Sequence, residues 1–222
     1  MPFFFAIIRE MNISWYGYRC VRIEAKEGTV LIDPFDPKEI GLRGPTIKDD
    51  LVLVSAFAPG RAVLERINDE AFLVSGPGEY ERKGIAVRGI QSWADSQQGR
   101  ELGLCTIYCV VSEELSLCHL GATGQGKLTD EQLEEIGDPD ILIIPVGGQS
   151  ALDAKVAAEI VTQIEPKIII PVQFAVTDAS YKADKLEKFV KEIGLPVEKM
   201  DKLRMSKKLL PVDQTRLVVL ES

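Results

Sequence analysis

The residues able to do acid–base, nucleophilic or metal chemistry are few, and their spacing is informative. The chain holds one histidine, His119, and four cysteines, Cys20, Cys105, Cys109 and Cys118. A catalytic zinc takes about three protein ligands plus a water, and a two-metal site needs more. One imidazole does not supply them. His119 ends an alternating run in which Leu115, Leu117 and His119 share a face, the setting of a hydrogen-bonded core histidine. No two cysteines form a Cys-x-x-Cys pair, all sit in apolar, strand-like surroundings, and no secretory signal is evident. Reduced core thiols in a cytoplasmic protein are expected. Cys105 and Cys109 lie four apart on one strand, about 13 Å along it, beyond the roughly 7 Å that a disulfide spans. Ser55 has nothing basic near it in sequence, so a serine nucleophile would have to draw its base from His119. Gly121-Ala-Thr-Gly-Gln-Gly126 matches neither a dinucleotide nor a phosphate-loop pattern and reads as a connector.

The elements that would position these groups follow from hydrophobic period and turn chemistry. Leu51-Val-Leu-Val54 is a short apolar run of the kind buried on both faces of a sheet. Ser55 ends it, and Pro59-Gly60 mark a turn before a helix-like stretch from Ala62. A loop at the end of such a strand is where α/β proteins place their chemistry, yet Ala56, Phe57, Ala58 and Gly60 offer no acid, base or ligand. Upstream, 12–16, 20–25 and 29–33 alternate as a meander, and 34–45 is loop. Downstream come strands at 71–75 and 84–90, a turn at 76–80, a polar loop over 91–103, and a hairpin of 104–111 with 115–120. Thr129-Asp-Glu-Gln132 is a capping box with Gly137 as its stop. Buried strands at 140–146 and 167–172 alternate with helices at 153–164 and 181–193, and 214–220 closes the chain. Strands at 51–54, 141–144 and 168–170 are expected at the centre of their sheets.

Composition narrows the function. At 222 residues, with 45% apolar and 27% charged residues, the chain supports one good-sized core. A net charge of −8 argues against nucleic acid or an anionic membrane as partner. The basic run from Lys202 to Lys208 reads as a solvated face, with an anion site as the alternative. Pro2-Phe-Phe-Phe-Ala-Ile-Ile8 is too short to span a bilayer. Sheets packed face to face with helices outside suit the mixture, although period alone leaves other α/β and α+β arrangements open.

Several landmarks in order carry a resemblance: Thr29-Val-Leu-Ile-Asp-Pro-Phe35, Val74-Ser-Gly-Pro-Gly-Glu-Tyr80, His119-Leu-Gly121, Leu142-Ile-Ile-Pro-Val-Gly-Gly148 and Gln163-Ile-Glu-Pro-Lys167. From Met11 onward the chain resembles the metallo-β-lactamase superfamily, in particular its small single-domain hydrolases related to the ascorbate-phosphate lactonases. The resemblance implies an α+β fold, the four-layer αββα sandwich, with a site where the two sheets open. It also implies an extension at 1–10 and one domain over 11–222.

Laid on the family's Ser-His-x-His-x-Asp-His motif, the ligand positions fall on Ala56, Ala58, Gly60 and Arg61. Its other ligands fall on Ala94, Ala122 and Gln173, and a further common histidine on Tyr18. Asp33 survives, while Asp95 and His119 neighbour ligand positions. The resemblance therefore implies a vestigial pocket of these eleven residues without cofactor: a metal-free, non-catalytic homologue with a binding or assembly role. A small anion held by Arg61 and Gln173, or a homo-oligomer, would be its partner. The alternative is a hydrolase of esters, lactones or phosphoesters using a remade or atypical metal site.

Overall fold

The computed structural model describes residues 10–56, 66–67, 70–149 and 151–221. The chain opens as a meander: β1 (Met11–Trp15), β2 (Val21–Glu24) and β3 (Thr29–Ile32) pair antiparallel in turn. β1 alternates buried and half-buried residues, the period-2 signature of a strand with one face in the core. β4 (Leu51–Leu53) and β5 (Phe72–Val74) then add in parallel beside β3. β13 (Leu203–Met205) pairs with β1 and completes a six-stranded sheet ordered β13-β1-β2-β3-β4-β5.

The second sheet has eight strands. β6 (Gly78–Arg82), β7 (Ile85–Trp93), β8 (Leu104–Ser112) and β9 (Leu115–His119) form an antiparallel half. β10 (Ile141–Pro145), β11 (Ile168–Val172), β14 (Arg216–Leu220) and β12 (Val197–Met200) continue it in parallel. Helices α2 (Asp130–Ile136), α3 (Ala154–Ile164) and α4 (Leu186–Ile193) connect these strands. Thr129 caps α2 with the expected capping box, and Asp153 caps α3. One buried cluster joins Ile13, Ile23, Ile32 and Leu53 of the first sheet to Ile90, Tyr108, Leu117 and Ile143 of the second. A second cluster packs Tyr18, Leu31, Phe35, Ile40 and Val52 together. This is the αββα sandwich.

β4, β10 and β11 are fully buried, and each has a strand on both sides. Other expectations are corrected. The turn placed at 76–80 yields to β6 from Gly78. The loop over 34–45 contains α1 (Pro37–Ile40), capped by Asp36, begun by Pro37 and stopped by left-handed Gly41. The helix expected from residue 181 begins at Leu186, because Asp184 gives its N–H to Gly147 and its carbonyl to the Ala175 N–H. The basic run is part strand: Leu203 and Met205 are buried, Lys202 pairs with Glu24, and Lys207 reaches the buried Asp140. The extension at 1–10 lies outside the described residues apart from Glu10. Among the described residues no helix is long and apolar enough to cross a membrane.

Candidate functional site at the opening between the sheets

β3 and β4 run parallel, so their C-terminal ends place Asp33 and Ser55 side by side although 22 positions separate them. Asp33 Oδ2 accepts the Ser55 hydroxyl at 2.6 Å, and Oδ1 accepts the Ser55 N–H at 2.7 Å. The turn between β1 and β2 brings in Arg19, which sequence reading overlooked. Its Nε donates to Asp33 Oδ2 at 3.1 Å, and its Nη1 donates to Tyr18 Oη at 2.9 Å and to Gln173 Oε1 at 3.3 Å. Arg19 is only 4% exposed. Burial opposes its charge, but Tyr18 and then Asp33 outweigh burial, and its pKa is raised. A guanidinium therefore bridges the surviving Asp33, the Tyr18 hydroxyl and the Gln173 carboxamide into one polar floor.

His119 supports this floor from behind. Its Nε2–H donates to the Arg19 carbonyl at 3.0 Å, and its Nδ1 accepts the Gly121 N–H at 2.9 Å. Both ring nitrogens are thus engaged. Burial lowers its pKa, so the neutral ring is favoured. His119 is not the base for Ser55; Asp33 is the group in reach. The missing signal was topological, since only the parallel pairing of β3 with β4 joins the two residues.

Three floor residues adopt left-handed backbone: Tyr18 (φ 51°), Asp33 (φ 48°) and Gln173 (φ 57°). Such conformations cost on the order of 1–3 kcal/mol each and persist where surroundings over-determine them. Here the Tyr18 carbonyl accepts the Gln173 N–H at 2.8 Å, and the Leu53 carbonyl accepts the Asp33 N–H at 2.8 Å.

The alanine positions form a separate wall. Ala94 and Ala122 cluster with Cys105, and the half-buried Ala56 packs against them. Burial pushes the Cys105 thiol up to about 11. Asp95 turns into its own loop, where its carboxylate accepts the N–H groups of Leu102, Gln97, Glu101 and Gly99. Those bonds, Leu102 foremost, hold it below the usual carboxylate range. Ala58, Gly60 and Arg61 lie outside the described residues. A cavity of about 220 Å³ opens at Ser55, Ala56, Gly76, Gln91, Cys105 and Thr106. Another, of about 330 Å³, lies along Ala94, Asp95, Gly124, Gln149 and Asp153.

The family described as beta-lactamase superfamily domain matches residues 12–173. A metal-dependent hydrolase of Methanopyrus kandleri is 27% identical over 226 residues, covering 85% of this chain and 95% of that protein. One from Thermoplasma acidophilum is 28% identical over 199 residues, covering 77% and 86%. Among solved structures, a candidate zinc-dependent hydrolase of the metallo-β-lactamase superfamily from Thermotoga maritima superposes with a TM-score of 0.77. It is 26% identical, with 95% of this chain and 98% of that one covered. These names overturn two expectations, the non-catalytic homologue and the absence of a cofactor: the relatives are hydrolases by name, and the cofactor their names imply is a divalent metal.

The described floor does not by itself fit such an ion. Among the described residues no three His, Cys, Asp or Glu side chains converge to hold one. Asp33 is a single carboxylate whose oxygens already face Ser55 and Arg19. A buried guanidinium beside it repels a second cation where water is scarce.

Proposed function

Because the chain belongs to the beta-lactamase superfamily, we propose that it is a hydrolase cleaving a small ester, lactone or phosphoester at the opening between its sheets. The class named for its relatives supports the reaction type. The observation that carries the site is Ser55, a lining residue of the 220 Å³ cavity whose hydroxyl donates to Asp33 at 2.6 Å. A nucleophile and a base within hydrogen-bond reach, with the base fixed by a third group, is the arrangement covalent catalysis uses. Here Arg19 is the third group.

In the acyl case, Ser55 Oγ attacks the carbonyl carbon and its proton passes to Asp33. The leaving oxygen departs with that proton, and a serine ester remains. Water then attacks the ester, giving a proton to Ser55 and a hydroxyl to the acid product. The small cavity favours compact substrates. We place this activity in the cytoplasm, in keeping with four free thiols.

The test is a panel of small esters, lactones and phosphodiesters, run with and without added zinc and manganese. Turnover that Ser55→Ala abolishes, and that Asp33→Asn lowers roughly 100- to 10,000-fold, is expected. Failure to hydrolyse any member under either condition overturns the activity. Full activity in Ser55→Ala moves the chemistry away from Ser55.

A further inference from the structure

Cys109 and Cys118 face each other across the β8–β9 hairpin. Glu113 (φ 53°) and Glu114 (φ 64°) form its two-residue loop, the backbone of a type I′ turn. In such a hairpin the residues flanking the loop, Ser112 and Leu115, exchange both ladder hydrogen bonds, and opposed pairs alternate thereafter. The pairing Val111 with Ser116, Val110 with Leu117, then Cys109 with Cys118 puts the cysteines at a non-hydrogen-bonded position. There Cα atoms stand about 4.5 Å apart and side chains approach most closely. A disulfide needs Cα atoms roughly 4.4–6.8 Å apart, so the strand pairing itself sets the backbone spacing that a bond between the two sulfurs requires. Neither other cysteine has such a partner: Cys105 opposes Ser92 on β7 and contacts Thr123, and Cys20 lies before β2.

Access is one-sided. Cys118 is fully buried, whereas Cys109 is half-buried and lines a cavity of about 470 Å³ on the sheet. Tyr80, Arg88, Ser116 and Ile136 share that lining. Among the described residues none is common to this cavity and the one at Ser55. It has room for a tripeptide-sized thiol compound to present its sulfur.

We propose that Cys109 and Cys118 form a reversible dithiol–disulfide site whose co-substrate is a low-molecular-weight disulfide, entering through this cavity. Cys109, as thiolate, attacks one sulfur of the small disulfide, breaking its S–S bond and releasing one small thiol. Cys118 then gives up its proton and attacks Cys109 Sγ, releasing the second small thiol. Two electrons and two protons leave the protein and appear in the two small thiols. The hydrogen bond with Cys109 and then burial push the Cys118 thiol well up. The second step is therefore the slower one, since the thiolate is the attacking form.

Reduced full-length protein would be incubated with glutathione disulfide under native conditions, quenched by alkylation and mapped without reduction. The expected product is a link between the peptides carrying Cys109 and Cys118, with the mass of two hydrogens lost and reversal by dithiothreitol. Cys118→Ser should stop at glutathione on Cys109, Cys109→Ser should leave Cys118 unmodified, and Cys105→Ser should still form the link. The native wild-type map decides the matter even if a variant misfolds. Both thiols alkylated in full, glutathione stalled on wild-type Cys109, or a link seen only in denaturant would overturn the proposal.

Discussion

Arg19 and Asp33 bury opposite charges 3.1 Å apart, with side chains 4% and 6% exposed. Desolvating such a pair offsets much of its attraction, but removing one partner strands the other charge. Arg19→Ala should therefore cost about 3–5 kcal/mol in chemical denaturation. The paired change Arg19→Met with Asp33→Asn should recover part of that loss. His119 adds a pH dependence of definite sign. Its folded pKa is lowered, so the neutral ring contributes stability fully present above its unfolded value of about 6.5. That contribution is lost as pH falls through the lower folded value. Denaturation midpoints should drop over this window by more in the wild type than in His119→Gln. Asp33 was legible in the sequence through its strand, but Arg19 was not. An arginine flanking a short strand is ordinary, and only the tertiary turn reveals that it points at an aspartate.

Element by element, the apolar runs were the legible part. β4, β10 and β11 announce themselves as apolar runs of Leu, Val and Ile, broken only by Pro145 and Pro171, because a strand buried on both faces has no polar side. The capping box of α2 was equally plain. α1 and β13 were hidden, one by its four-residue length and the other by charges alternating with Leu203 and Met205. Gly121 joins β9 to the opening. It adopts φ 59°, and a Cβ there would collide with Ser55 and lie 2.7 Å from the Thr106 carbonyl oxygen. Gly121→Ala thus meets a left-handed backbone and a blocked space together. A loss of about 2 kcal/mol or more is expected, with Ser55 displaced; unchanged stability would remove this account of the glycine.

Across the whole molecule, the opening exists because two sheets are tied together there. The Tyr108 hydroxyl on the second sheet donates to the Val54 carbonyl at 2.9 Å and approaches that of Val74 at 3.3 Å. The Thr106 N–H donates to the Ser55 carbonyl at 2.8 Å. Burial pushes the Tyr108 phenol far above its ordinary range, as expected of a hydroxyl acting as a neutral tie. Tyr108→Phe keeps the ring but removes the donor to the Val54 carbonyl, while that of Val74 keeps the Val54 N–H, so about 1–3 kcal/mol should be lost. Faster amide exchange should follow at 54–56 and 104–106, measured by hydrogen exchange. Neither the pairing of the sheets nor the identity of the tie could be read from hydrophobic period, which gives faces and not neighbours. Ordered landmarks supplied the architecture instead.

The lone imidazole has a spectroscopic consequence. With one histidine in 222 residues, the imidazole nitrogen signals of a uniformly labelled sample need no assignment. They come from a ring wedged between the Arg19 carbonyl and the Gly121 amide. Its two nitrogens should differ widely in chemical shift, as in a fixed Nε2–H tautomer. Any molecule that moves Arg19 or the strand end at Gly121 would perturb that one pair of resonances. The protein carries its own label at the floor of the opening, and ligands could be screened against it before any substrate is known.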